Sequence, residues 1–84
     1  MTAEFPSLEK VVSLYRCSAF DGAVIAKRAV ETGKFVWGKK GLTGLSRSTL
    51  WRVDGSRCVG ALGNDGKRWH IDAEVIEELR LEVT

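Results

Sequence analysis

Apolar positions along this chain change their spacing from helix-like to strand-like, and the changes mark the elements the sequence predicts. Leu8, Val11, Val12 and Tyr15 stand at i, i+3, i+4 and i+7 behind a Pro6-Ser7 start signal, which predicts a helix over residues 7–16. The β-branched pair Val11-Val12 leaves a strand open there. Residues 22–32 predict a second helix: Asp21 is a candidate N-cap, helix formers and apolar residues follow, and Gly33 can close it in a left-handed conformation. In residues 34–43, Gly38 and Gly41 weaken a helix. Phe35, Val36 and Trp37 suit either a short strand or a buried helical turn.

The second half is more regular. Two strand-like runs, residues 57–62 and 67–71, flank Gly63-Asn64-Asp65-Gly66, whose Asn and Gly residues supply the positive φ angles of a hairpin. Alternation in the second run sends Trp69 and Ile71 to one face and Arg68 and His70 to the other. Asp72 then caps a closing helix, with Glu74 in its first turn and Val75, Ile76 and Leu79 as its apolar stripe. There is no internal repeat, linker or low-complexity segment.

A chain of 84 residues reads as one domain over residues 1–84, with one modest core. No apolar run reaches the length of a membrane span, and no basic region precedes a hydrophobic stretch at the start, so the expected setting is cytoplasmic, without a membrane partner. Cys17 and Cys58 lack CxxC spacing and lie far apart, which favours reduced thiols over a disulfide.

Charge changes the picture more than composition does. The net charge is only +2, yet residues 27–68 hold ten basic side chains against three acids, and residues 72–84 hold five acids against one arginine. A basic middle and an acidic end suggest one face turned to a polyanion and another turned away.

Residues 44–52, Gly-Leu-Ser-Arg-Ser-Thr-Leu-Trp-Arg, pair a glycine turn with a short helix expected at about 46–53. Leu45 and Leu50 would face the core and Ser46 would cap the first turn. Ser46, Arg47, Ser48, Thr49 and Arg52 would point outward, where hydroxyls reach phosphates and arginine reaches a guanine edge. Lys39, Lys40, Lys67 and Arg68 would add backbone contacts. Together with the basic hairpin and the run from Arg68 to Leu79, this stretch resembles the small phage excisionases and AlpA-type phage regulators, winged-helix DNA-binding proteins. The resemblance spans about half the chain. It implies an α+β fold: a helix-turn-helix or winged-helix core at 36–82, a β-hairpin wing around Gly63 to Gly66, and an N-terminal helical extension at 1–35. The partner it implies is double-stranded DNA, together with a recombinase or a second copy of the chain. Two departures are Gly38 and Gly41, where the first helix of the pair belongs, and the missing proline between recognition helix and wing.

The alternative is a small α+β protein-interaction module or inhibitor, with residues 48–54, 57–62 and 67–71 forming a three-stranded antiparallel meander. The state of residues 46–53 separates the two readings: helix supports the first and strand the second. An enzyme is not expected. Cys58, His70 and Asp72 could be imagined as a nucleophile, base and orienting group, but a lone histidine on a polar strand face is far more often solvated. Cys17, Cys58 and His70 lack zinc-ligand spacing, and there is no glycine-rich phosphate loop, so neither metal nor cofactor is expected.

Overall fold

A computed structural model describes residues 8–38, 48–54 and 56–83. Its elements are β1 (Glu9–Val11), β2 (Leu14–Ser18), α1 (Ala19–Glu31), β3 (Phe35–Trp37), β4 (Thr49–Arg52), β5 (Cys58–Leu62), β6 (Arg68–Asp72) and α2 (Ala73–Val83). The strands form one sheet in the order β1-β2-β6-β5-β4-β3, and all neighbours are antiparallel.

Strand alternation divides the sheet into two unlike faces. Tyr15 and Cys17 of β2 stand opposite Ile71 and Trp69 of β6, and these four residues join Leu50 and Phe35 in the core. Ile25, Ala26 and Ala29 of α1 and Val75, Ile76 and Leu79 of α2 complete that core, so both helices cover the same face. Trp69 is 2% exposed and meets Trp37 edge to face, with ring centroids 6.4 Å apart. Gly22 lets α1 lie directly on this indole, because a β-carbon at that position would overlap the Trp69 side chain.

The hairpin and closing helix form as the residue pattern predicts. Gly66 takes φ +70°, its N–H donates to the Gly63 carbonyl at 2.9 Å, and the Asp65 carboxylate accepts from the Lys67 N–H at 2.9 Å. Trp69 and Ile71 are buried, and α2 starts directly after Asp72 with Val75, Ile76 and Leu79 inward. Gly33 closes α1 at φ +85°, as expected. The cap at the other end is Ser18 and not Asp21: the Ser18 hydroxyl accepts from the Asp21 N–H at 3.1 Å, so the helix starts three residues earlier than the sequence suggested.

The winged-helix expectation is overturned. Thr49–Arg52, placed in a recognition helix, is strand β4, pairing with β3 on one side and β5 on the other. The β-branched and aromatic content of Thr-Leu-Trp-Arg suits a strand held between two neighbours, and that tertiary pairing outweighs local helix signals. Ser46 and Arg47, the start of the expected helix, lie outside the described residues, as do Lys39, Lys40 and Leu45. The N-terminal helical extension is also corrected. Residues 9–18, expected to be largely helical, are the hairpin β1–β2, with Val11 opposite Leu14 across a Val12-Ser13 turn. Val12 adopts φ +59°, a left-handed conformation that a β-branched residue rarely takes, which is why no turn signal is visible there. The hairpin "wing" thus belongs to a six-stranded sheet, and the meander β4-β5-β6 of the alternative reading forms its centre.

Candidate functional site

The ion pairs alter the meaning of the charge segregation. Arg52 donates through Nε to Glu74 at 3.0 Å and through Nη2 to Glu78 at 3.2 Å, while its guanidinium lies 5.2 Å from the Phe35 ring centre. Those hydrogen bonds, Glu74 first and Glu78 second, push the Arg52 pKa further above its ordinary value. Arg57 donates to Glu74 at 2.8 Å and to Asp72, and Lys34 pairs with Glu78 at 3.5 Å. Acids of the C-terminal run thus fold back onto bases of the middle run. Opposite charges far apart in sequence are neutralised within the fold, not divided between two faces.

The other face of the sheet is built differently. Directly opposed residues of antiparallel strands share a face. The pairs Glu9–Arg16, Arg16–His70, His70–Ala61 and Ala61–Thr49 therefore set one row of side chains across β1, β2, β6, β5 and β4. At a strand spacing of about 4.8 Å the row spans about 19 Å. No described helix covers it. Trp51 lies two residues along from Thr49, its indole N–H donating to the Thr49 hydroxyl at 3.2 Å, and Val36 stands opposite Trp51.

The β2–β6 end of this face is cationic. Arg68 stands opposite Ser18, one step beyond the Arg16–His70 pair, and Lys67 precedes it next to the hairpin turn. The Lys67 carbonyl accepts from the Ala19 N–H at 3.1 Å, which ties the hairpin to the start of α1. Arg16 pairs with Glu9 through Nη2 at 3.1 Å, and its buried Nε has no hydrogen-bond partner among the described residues. Arg16, Lys67 and Arg68, with Glu9, Leu8, Cys17, Ser18 and Asp21, line a cavity of about 690 Å³ where the sheet runs into α1.

Of the residues singled out from sequence, Thr49, Lys67 and Arg68 come to the bare face or its edge. Ser48 adjoins them, its carbonyl accepting from the Leu62 N–H at 2.7 Å. Arg52 does not join them: it lies on the helix-covered side, held by two carboxylates. Arg16 and His70 are the residues sequence reasoning missed as site members. Alternation in Leu14-Tyr15-Arg16-Cys17-Ser18 carried the signal for Arg16, since a strand there opposes it to the buried Tyr15 and Cys17.

Cys58, His70 and Asp72 are not assembled as a trio. His70 faces Ala61, three residues along β5 from Cys58 and so about 10 Å away along the strand. Asp72 is engaged by Arg57, and the Cys58 thiol donates to the Gly60 carbonyl at 3.3 Å. Both cysteines are free thiols. Burial, reinforced by the charge of Asp21, pushes the Cys17 thiol up to about 11, so it stays protonated near neutrality. Among the described residues no group of three His, Cys, Asp or Glu could hold a metal ion, and no helix is long and apolar enough to cross a membrane.

The chain matches no protein-family model, no curated protein and no solved structure, so the geometry of this face is what bears on function.

Proposed function

We propose that this protein is a nucleic-acid-binding module that uses the helix-free face of its sheet and prefers single strands. The observation that carries the reading is the row Glu9–Arg16–His70–Ala61–Thr49 with Arg68 and Lys67 beside it. Neither Lys67 nor Arg68 has a side-chain partner among the described residues, in contrast to Arg52 and Arg57. A surface with small residues at Ala61 and Thr49, an indole at Trp51 and cations at one end has the composition of a single-strand platform. Bases lie against the apolar part and phosphates follow the charge. A groove-reading helix has no place in this reading, because Thr49–Arg52 is a strand.

Fluorescence anisotropy with a labelled single-stranded oligonucleotide tests it. Micromolar binding at about 50 mM salt is expected, with duplex of the same sequence weaker. Three phosphate contacts by Arg16, Lys67 and Arg68 give a log–log salt slope of about −2 for a single strand. Arg68→Ala should weaken binding and flatten that slope, while Lys27→Ala, on the exposed side of α1, should leave both unchanged. No binding of either nucleic acid under these conditions would overturn the proposal. The meander would then favour the protein-interaction alternative.

A further inference from the structure

We infer that the cavity between the β1–β2 hairpin, the start of β6 and the start of α1 is a site for a terminal phosphoryl group, the phosphorylated end of the bound strand. The inference rests on the nucleic-acid reading for the strand, though not for the phosphate. Three cationic side chains, Arg16, Lys67 and Arg68, line one cavity of about 690 Å³, within the size range of small-molecule sites. The second observation is independent of charge. Arg16 Nε is the one buried side-chain nitrogen or oxygen without a partner among the described residues. Glu9 does not satisfy it, since that carboxylate takes Nη2. A buried donor left unpaired costs free energy, and because this nitrogen has almost no accessible surface, the Arg16 side chain must turn toward the cavity for a ligand oxygen to recover it.

The chemistry selects a phosphate monoester over other anions. A carboxylate offers two oxygens in one plane and a single charge. An internal phosphodiester likewise has two free oxygens and one charge. A terminal phosphate presents three oxygens and a charge of about −1.5 to −2, matching three donors carried by β2 and by the residues next to the hairpin turn. Two carboxylates, Glu9 and Asp21, also line the cavity and oppose the ligand. Three cations thus face two carboxylates, a net of +1, and because Arg16 is shared with Glu9, Lys67 and Arg68 are the charges a phosphate draws on first, with Asp21 opposing. The Ser18 hydroxyl is already committed to capping α1.

Two arms of one experiment test the inference. In the first, inorganic phosphate is titrated against chloride at matched ionic strength, with NMR following the Arg16 Nε–H and the amides of Ser18, Lys67 and Arg68. Saturable shifts are expected for phosphate alone, weakened about ten-fold by Arg68→Gln, a change of one charged hydrogen-bond donor. Asp21→Asn should tighten the same titration. In the second arm, single strands of one sequence carrying a 5′-phosphate, a 3′-phosphate or neither compete for the protein. One phosphorylated end should bind about ten-fold tighter than the bare strand. Shifts that phosphate and chloride produce alike would overturn the site, whether or not oligonucleotides bind. Equal affinity for all three strands would overturn the strand-end assignment and leave the proposed function standing. Saturable phosphate binding with no oligonucleotide binding at all would overturn both.

Discussion

The two faces of this sheet handle charge in opposite ways. On the helix-covered face, Arg52 and Arg57 reach carboxylates of α2 and its leading residue, and the ring of Phe35 lies beneath the Arg52 guanidinium. On the bare face Arg68 has no such partner among the described residues, nor does Lys67 just ahead of it, and Arg16 has one exposed partner that leaves its Nε unpaired. A cation whose charge is already satisfied contributes little to capturing a polyanion. A cation left unsatisfied beside a cavity is available for one. Net charge and charge clustering along the sequence do not distinguish the two kinds of arginine; the fold does.

If the covered face carries stability and the bare face carries binding, substitutions should separate along the same line. The largest effect is expected at Trp69, buried against Gly22 and Trp37. Trp69→Ala should cost about 3–5 kcal/mol in denaturant unfolding, a large part of what so small a domain has. A loss below about 1 kcal/mol would break the assignment of the core to that face. Gly22→Ala should cost about 1–3 kcal/mol, although alanine is the better helix former, because the added methyl overlaps the Trp69 indole. A gain in stability would mean that α1 does not rest on that ring.

The charge network should give a smaller signal that depends on salt. Glu74 bridges Arg52 and Arg57, so Glu74→Gln should cost about 1 kcal/mol at low ionic strength and less in molar salt. A cost that does not change with salt would point to packing and not to ion pairing. Smallest of all should be His70→Ala, within about 0.5 kcal/mol in stability, since His70 lies on the bare face one residue from Trp69. The same substitution should weaken oligonucleotide binding. A register slip of one residue would exchange the outcomes at Trp69 and His70.

The parts of the fold legible in the sequence are those with short-range causes. The β5–β6 hairpin follows from the Gly63-Asn64-Asp65-Gly66 turn and the alternation after it. The buried stripe of α2 follows from helical spacing within eleven residues. The misread parts depend on contacts invisible locally. Leu8, Val11, Val12 and Tyr15 have helical spacing by coincidence, across a turn that places Val12 in a conformation no propensity favours. Thr49–Arg52 is a strand because β3 and β5 flank it. Of the candidate site, Lys67 and Arg68 were visible as basic residues of the hairpin, and Thr49 was singled out only as part of an expected helix that is a strand. Arg16 was hidden by the helical expectation, and the engagement of Arg52 by carboxylates 22 and 26 residues away was beyond any local pattern.

The most direct test of a binding face opposite the helices is chemical-shift mapping of the ¹⁵N-labelled protein with a short single-stranded oligonucleotide. Shifts are expected to concentrate at Arg16, Thr49, Ala61, Arg68 and His70, with the buried helix positions Ala29 and Val75 nearly unmoved. Shifts concentrated instead on the exposed side of α1, around Phe20, Ala23 and Lys27, would contradict it.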